Sequence, residues 1–199
     1  MPNFIIIIFQ ILSCLVFSVI TRVFYKTKVI LPKNINQLKK GSLLIANHRS
    51  PLDPFIITAR IPLLKCISIM PIRFPVCHEF MNMPFVSLLL KLLGCYDVGQ
   101  TKRENMLALF RMRQLLQKKQ TVFLFPEGKV CKKGGVEEFK KGVEFLVNES
   151  KNVVFVRIEF SNKIKFPVFV SECNLKFSPV KSFDDKIESG DLRTFLERL

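Results

Sequence analysis

The composition of this 199-residue chain limits its class before any motif is considered. Hydrophobic residues make up 49% of it, enough for one sizeable core, which excludes a disordered chain and favours one domain over two. Its 31 Lys and Arg against 16 Asp and Glu give a formal charge of +15, which favours anionic partners: lipid headgroups, nucleic acid or an acidic carrier protein.

The amino-terminal segment favours a membrane among these partners. Phe4–Ile20 carries no charge and reaches roughly 25 Å as a helix, near the lower limit for crossing the hydrocarbon of a bilayer. The basic residues Arg22, Lys26 and Lys28 follow the apolar run, whereas a secretory signal has them in front. We therefore predict an uncleaved anchor over residues 1–30, with the rest of the chain on the cytoplasmic side. A re-entrant or in-plane helix is the alternative.

Beyond the anchor, the sequence predicts one compact α/β domain over residues 31–199, with a mixed sheet flanked by helices. Short runs of β-branched and aromatic residues alternate with amphipathic stretches, and no repeat or low-complexity linker interrupts them. The candidate strands are Ser42–Ala46, Cys66–Met70, Thr121–Phe125, Val153–Phe160 and Pro167–Val170.

Three stretches between the strands have helical patterns. A helix beginning near Thr101 places five apolar residues on one arc: Ala108, Leu109, Met112, Leu115 and Leu116. A second predicted helix does the same with Val136, Phe139, Val143 and Leu146. The stretch Met83–Gly94 is apolar on nearly every side, which is typical of a core helix or of one that contacts lipid.

The cysteines favour free thiols. They are spread along the chain without a C-x-x-C pair: Cys14, Cys66, Cys77, Cys95, Cys131 and Cys173. This spacing, with one cysteine inside the anchor, is unlike a disulfide framework or a zinc site. The adjacent Cys77-His78-Glu79 offers three ligand types, but neighbouring side chains on a helix or strand point apart, so we predict no metal site.

The turn after the first predicted strand carries the first candidate site, Asn47-His48-Arg49-Ser50-Pro51-Leu52-Asp53-Pro54. A neutral imidazole, with an ordinary pKa of about 6.5, can accept a proton at cytoplasmic pH, and a carboxylate on its other nitrogen fixes the tautomer. Pro51 stiffens the link, so His48 and Asp53 can meet as a base that activates a substrate hydroxyl, worth ~10²–10⁴ in rate. The alternative is a histidine packed under the loop and an aspartate that only caps a helix.

A second apolar run, Thr121–Phe125, also ends in a polar turn. The residues Pro126-Glu127-Gly128-Lys129 follow it, and a glycine lets backbone N–H groups approach a ligand closely. Two strand ends of this kind could line one cleft. Lys129, Lys132 and Lys133 then offer positive charge for a phosphate, unless they form an ordinary solvated loop.

Together the two turns resemble the glycerolipid acyltransferase family, the 1-acylglycerol-3-phosphate acyltransferases. The turn Asn47–Asp53 matches the first family motif, N-H-x-S-x-x-D, and Phe125-Pro126-Glu127-Gly128 matches the core of F-P-E-G-T-R. Further matches follow in the family's order: Glu79-Phe80, Pro84-Phe85, Leu93-Gly94 and Phe139-Lys140-Lys141-Gly142. The resemblance covers residues 41–160, most of the domain.

The resemblance implies transfer of a fatty acyl group from a thioester, on acyl carrier protein or coenzyme A, to a hydroxyl of a lysophospholipid, with lysophosphatidate as the family's usual acceptor. His48 would take the hydroxyl proton and Asp53 would orient His48, while Glu127 and Gly128 would bind the glycerol phosphate. The implied partners are membrane lipids and the donor thioester, which is a co-substrate, so we expect no cofactor. Lys129 is the candidate cation for the phosphate.

Three positions depart from the family pattern. The Thr-Arg that follows Glu-Gly in the family is Lys129-Val130 here, so the phosphate-gripping arginine is missing. The second motif reads Gly94–Gln100, with Lys102 and Arg103 as its nearest cations. The late V-P-V motif reads Val156-Arg157-Ile158. The departures leave the acceptor open: glycerol 3-phosphate, another lysophospholipid or an aminolipid are alternatives.

Two hypotheses about function from other classes of protein stay open at this point. A non-catalytic membrane-surface protein would keep the anchor and the charge while losing activity. A nucleic-acid binder would use the same positive charge, but the anchor and the lack of a zinc-finger, helix-turn-helix or RNA-binding signature argue against it. We therefore predict a membrane-bound acyltransferase and no nucleic-acid partner.

Overall fold

The computed structural model describes residues 1–131, 135–160, 171–183 and 187–199. Its strands are β1 Tyr25–Ile30, β2 Leu43–Ala46, β3 Ile72–Val76, β4 Cys95–Asp97, β5 Thr121–Leu124, β6 Val153–Phe160 and β7 Ser171–Phe177. Its α-helices are α1 Asn3–Phe24, α2 Asp53–Arg60, α3 Leu63–Ile69, α4 His78–Met81, α5 Pro84–Leu92, α6 Lys102–Gln117, α7 Val143–Asn148 and α8 Ser189–Arg198.

The strands form one sheet in the order β1-β7-β6-β2-β5-β3-β4. The five strands from β6 to β4 run parallel to one another, whereas β7 is antiparallel to β6 and parallel to β1. The predicted α/β class with a mixed sheet flanked by helices is therefore confirmed. Because neighbouring parallel strands end at the same edge of a sheet, the turns after β2 and β5 lie side by side.

Two apolar cores lie on opposite faces of the sheet, because successive strand residues point to opposite sides. Leu44 and Phe123 belong to the core beneath α1, α2 and α3. Val122 and Phe155 belong to the core beneath α6, α7 and α8. Strand β2 is buried throughout, so its apolar run is explained by cover on both faces.

The apolar run Cys66–Met70 is not the strand that the sequence predicted. It lies in α3, and the strand follows at Ile72–Val76. Cys66 and Ile69, three residues apart, are the buried residues of α3, which is helical spacing. A short apolar run fits a strand and a buried helix equally well, which explains the error.

The second predicted helix is also shorter than its apolar spacing suggested. The helix α7 begins only at Val143, although Val136 and Phe139 are buried in the same core. Gly142 has a left-handed φ of 101° immediately before the helix, and an added Cβ would overlap Leu109. The candidate strand Pro167–Val170 lies outside the described residues.

Helix α1 is apolar enough and long enough to cross a membrane, and it also packs against the domain. Gln10, in its first half, is buried and donates to the carbonyl oxygens of Ile72 at 2.6 Å and Leu93 at 2.9 Å. Its own Oε1 accepts from the Ile72 N–H at 3.0 Å. The following strand, β1, pairs with β7, so the last part of the predicted 1–30 segment lies in the sheet.

Candidate active site

The first candidate turn brings His48 and Asp53 into contact. The His48 Nδ1 lies 3.1 Å from Asp53 Oδ2, and this oxygen also accepts the backbone N–H groups of Arg49 at 2.5 Å and Ser50 at 2.7 Å. Asp53 opens α2 but makes no side-chain cap to that helix. Its carboxylate therefore organises the turn and orients the imidazole, instead of only capping the start of a helix.

The burial of this pair is asymmetric. The Asp53 side chain is fully buried, whereas the His48 side chain is 17% exposed. The His48 ring stacks on Phe125 with the ring centroids 4.0 Å apart. With Nδ1 held by Asp53 and one ring face covered, His48 keeps a fixed orientation and offers Nε2 for chemistry.

Glu127 ties the two turns together. It is 3% exposed, and its Oε2 accepts the His48 N–H at 3.2 Å while its Oε1 accepts the Glu137 N–H at 3.2 Å. Both carboxylate oxygens thus accept bonds from the chain, and direct contact of Glu127 with substrate stays a prediction. Its place in the structure is that of a positioning residue behind His48.

Cys131 also bonds to both turns, and we call Glu127 and Cys131 together the clamp of His48. Its Sγ donates to Glu127 Oε2 at 2.9 Å, and its backbone N–H donates to the His48 carbonyl at 2.7 Å. Burial and the neighbouring Glu127 carboxylate raise the pKa of the Cys131 thiol to about 12. A thiol of this kind is an inert hydrogen-bond donor, and only its position next to the glutamate motif could have drawn attention to it.

Asn47 fixes the other side of the same turn. Its Oδ1 accepts the Ile158 N–H at 2.8 Å, and its Nδ2 donates to the Ile158 carbonyl at 2.9 Å. These two bonds hold the end of β2 against β6. The sequence motif contained Asn47 without indicating this role, because the partner lies 111 residues away.

The turn after β5 shows why a glycine follows Glu127. Gly128 has a φ of 66°, and a Cβ added there would overlap the Lys140 side chain. The Lys129 Nζ forms an ion pair with Glu137 at 2.6 Å, and the Lys129 side chain is 67% exposed. This pair raises the pKa of the Lys129 ammonium. The predicted phosphate cation is thus already paired in this structure, while Lys132 and Lys133 lie outside the described residues.

A cavity of about 630 Å³ has His48 and Phe125 in its wall. Most of its lining is apolar, including Val86 and Leu90 of α5 and Met112 of α6. This volume lies within the range of ligand sites, and an apolar lining with few polar groups suits a hydrocarbon chain. The candidate base therefore faces a space that can hold a fatty acyl group.

A second histidine–aspartate pair lies at the same edge of the sheet. His78 Nδ1 is 2.6 Å from Asp97 Oδ2, and the Gly99 N–H donates to Asp97 Oδ1 at 2.7 Å. Burial alone would raise the pKa of Asp97, but the bonds from Gly99 and His78 outweigh it and lower that pKa. Within the described residues, no three His, Cys, Asp or Glu side chains are grouped as metal ligands would be.

The cations at the remaining departures from the family pattern are not part of the cavity wall. Lys102 and Arg103 are exposed at the start of α6. Arg157 pairs with Glu159 on the same strand at 2.7 Å. None of these three cations lines the cavity that contains His48.

Comparison with known proteins agrees with this fold. The Acyltransferase family model matches residues 26–161, and the chain therefore belongs to the Acyltransferase family. A probable 1-acyl-sn-glycerol-3-phosphate acyltransferase of Mycoplasma pneumoniae is 28% identical over 118 residues, which are 59% of this chain and 42% of that protein. The chain thus matches less than half of the length of that curated relative.

A solved structure has the same fold. The crystal structure of the 1-acyl-sn-glycerophosphate (LPA) acyltransferase PlsC from Thermotoga maritima superposes with a TM-score of 0.66, over 94% of this chain and 75% of that one. The two sequences are 20% identical, so this likeness concerns the fold. The predicted membership of the acyltransferase family is confirmed.

Proposed function

We propose that this chain transfers a fatty acyl group from a thioester to the hydroxyl of a lysophospholipid, with 1-acylglycerol 3-phosphate as acceptor and phosphatidate as product. The observation that carries the proposal is the 3.1 Å contact between His48 and Asp53 in the wall of an apolar cavity. The family membership and the relative from Mycoplasma pneumoniae support it.

The geometry supports a proton transfer at one atom of His48. Asp53 occupies Nδ1 of His48, so Nε2 accepts the proton of the acceptor hydroxyl. The hydroxyl oxygen then attacks the thioester carbonyl carbon, and a carbon–oxygen ester bond forms as the carbon–sulfur bond breaks. The proton leaves with the sulfur as the free thiol. Asp53 stabilises the imidazolium between these steps, and Glu127 and Cys131 keep the His48 backbone in place.

Both donors in the proposal are anionic, and cations share the cavity wall with the base. Lys129, Lys140 and Lys141 contribute to the cavity wall. A phosphopantetheine thioester, on either coenzyme A or acyl carrier protein, carries negative charge that these lysines can attract. For a phosphate-bearing acceptor, Lys129 must exchange Glu137 for the headgroup, whereas Lys140 lies beside Gly128 and has no ion pair among the described residues.

The proposal is tested by product analysis. Detergent-solubilised protein is given labelled lysophosphatidate, glycerol 3-phosphate, zwitterionic lysolipids and an aminolipid, each with acyl-coenzyme A and with acyl-acyl carrier protein, and products are identified by mass. We expect phosphatidate from lysophosphatidate, and at least about a hundredfold less from the His48→Ala variant. A preference for a neutral or zwitterionic acceptor would reject the proposed acceptor, and no product with any pair would favour the non-catalytic alternative.

The proposed site of action is the cytoplasmic face of a membrane, with α1 as the attachment. Helix α1 exposes an apolar stripe that repeats about every four residues and is formed by Phe4, Ile8, Leu12, Leu15, Val16, Val19 and Val23. Its opposite side is held to the domain by Gln10 and Cys14. A helix attached in this way fits a partly embedded or in-plane position better than a span that projects away from the domain.

A further inference from the structure

Helix α5 has two apolar faces with different surroundings. On one face, Val86 and Leu90 line the cavity beside His48. On the other, Phe85 is 90% exposed, Leu88 55% and Leu89 54%. Residues three and four apart share a helix face, so these three side chains form one outward surface. The helix therefore separates the cavity from whatever covers that surface.

The exposed surface extends beyond α5 itself. Phe80, which is 48% exposed and also lines the cavity, and Met83, at 50%, add large apolar side chains from α4 and the turn that follows it. We call Phe80, Met83, Phe85, Leu88 and Leu89 the α4–α5 surface. A contiguous group of this kind is unusual on a monomeric soluble protein and marks a contact with a protein or a membrane.

Two observations select a membrane as the partner. Helix α5 packs against α1, so the α4–α5 surface adjoins the helix that carries the exposed apolar stripe. The charges also suit anionic headgroups: Lys91 is exposed at the end of α5, and Lys102 and Arg103 are exposed at the start of α6, against one acidic residue in that turn, Glu104, and one in α4, Glu79. Lysines at the border of an apolar surface place their ammonium groups at headgroup level.

We propose that the α4–α5 surface inserts into the apolar layer of an anionic membrane beside α1, so that α5 forms a wall between the bilayer and the cavity. The inference rests on the proposed membrane attachment and does not depend on acyl transfer. The protein then has two membrane-binding elements that adjoin each other, α1 and the α4–α5 surface. Such a contact would bring a lipid-borne substrate to the cavity without passage through water.

The absence of tryptophan from the sequence allows a direct test. Phe85→Trp, Leu12→Trp and Thr194→Trp each introduce one reporter, on α5, on the outer side of α1 and on the exposed side of α8. Each protein is mixed with vesicles of phosphatidylcholine and phosphatidylglycerol that contain brominated acyl chains. We expect bromine to quench the α5 and α1 reporters and to leave the α8 reporter unquenched.

The outcomes separate the two proposals. Quenching at Leu12→Trp without quenching at Phe85→Trp would overturn this inference and leave the α1 attachment standing. Quenching at neither position would overturn both, while the product assay in detergent would still test acyl transfer. Equal quenching at Thr194→Trp would show unspecific insertion and overturn the inference. Concentration-dependent self-association that protects Phe85→Trp without lipid quenching would assign the surface to a second copy of the chain.

A second measurement uses polar substitutions at exposed positions. The double variant Leu88→Gln and Leu89→Gln should lower the partition coefficient to phosphatidylglycerol-containing vesicles more than tenfold, because two leucines lose their apolar environment. The matched control is Leu64→Gln, at an 84% exposed leucine on α3. Helix α3 precedes β3 and α4 follows it, so Leu64 lies at the opposite end of that strand from the α4–α5 surface. An equal loss in the control, or unchanged partition of the double variant, would contradict the proposal.

Discussion

The two histidine–aspartate pairs at the carboxyl edge of the sheet have similar contacts and different surroundings. His48 and Asp53 are 3.1 Å apart, with the carboxylate fully buried and the imidazole 17% exposed. His78 and Asp97 are closer, at 2.6 Å, but both side chains are 34% exposed. His48 lines the cavity, whereas His78 is not part of its wall.

The comparison teaches that a short contact does not by itself define a catalytic base. Solvent screens an exposed pair and lets its side chains reorient, so a pair of this kind contributes little to stability and does not fix the imidazole. Asp53 is held by two backbone N–H groups and His48 by the clamp of Glu127 and Cys131. Preorganisation and access to a substrate-sized cavity distinguish the first pair.

The largest effect is expected from removing each imidazole in turn. His48→Ala should lower turnover by ~10²–10⁴, because the acceptor hydroxyl loses its general base. His78→Ala, the matched control on the same sheet edge, should leave turnover close to that of the unmutated protein. Steady-state kinetics in detergent, with circular dichroism to verify folding, measures both. Comparable losses in the two variants would show that the second pair takes part in catalysis.

The carboxylates give a smaller contrast of the same kind. Asp53→Asn should lower kcat on the order of 10²-fold, because an amide can hold Nδ1 in the wrong tautomer and cannot stabilise the imidazolium. Asp97→Asn should change kcat little. The decisive quantity is the ratio of the two kcat values with KM measured for both substrates. A ratio near one would contradict the assignment of Asp53 as the orienting residue.

Local patterns made the first pair predictable and long-range packing hid the second. His48 and Asp53 belong to one turn, so sequence spacing was enough to bring them together. His78 comes after β3 and Asp97 is the last residue of β4, and only the pairing of these two strands makes them neighbours. The same limit applies to Glu127, whose motif was found but whose partners His48 and Glu137 became visible only with the fold.

Secondary structure was likewise predictable where local patterns decide it and unpredictable where packing does. The strand Val153–Phe160 was predicted with the observed bounds, and the helix predicted from Thr101 has that residue as its cap, with a reciprocal bond between Thr101 and Glu104. The alternation of Cys173, Leu175 and Phe177 with polar residues could have indicated β7. The run Cys66–Met70 could not be assigned, since its helical nature depends on which face the domain covers.

The clamp behind His48 offers a finer test of why this pair is held in place. Cys131→Ala removes the thiol donor to Glu127 and should lower kcat about three- to tenfold with KM unchanged, since thiols are weak donors and the acceptor is a carboxylate. Cys131→Ser restores a donor and should recover most of the activity. Loss of activity in both variants, or a change confined to KM, would contradict a positioning role.

The thiols themselves give an independent measurement of this environment. The pKa of Cys131 is raised to about 12 by burial and by Glu127, so the reactive thiolate is scarce at neutral pH. Cys77 is exposed and serves as the internal comparison. Limited alkylation followed by peptide mass analysis should label Cys77 before Cys131. The reverse order would show that the Cys131 thiol is not held in the clamp in solution.

The smallest expected effect concerns the stability that the exposed pair contributes. Because the bonds from Gly99 and His78 lower the pKa of Asp97 in the folded protein, its carboxylate favours folding above the unfolded-state pKa of about 4, and this contribution disappears as pH falls through the lower folded-state pKa. The side chain is 34% exposed, so solvent screening limits the contribution to at most about 1 kcal/mol. Denaturant unfolding of the unmutated protein and of Asp97→Asn should therefore differ by this small amount near neutral pH and converge below a pH of about 4. A difference that stays constant down to the lowest pH would mean that Asp97 acts through packing, and one of several kcal/mol would mean that solvent does not screen the pair.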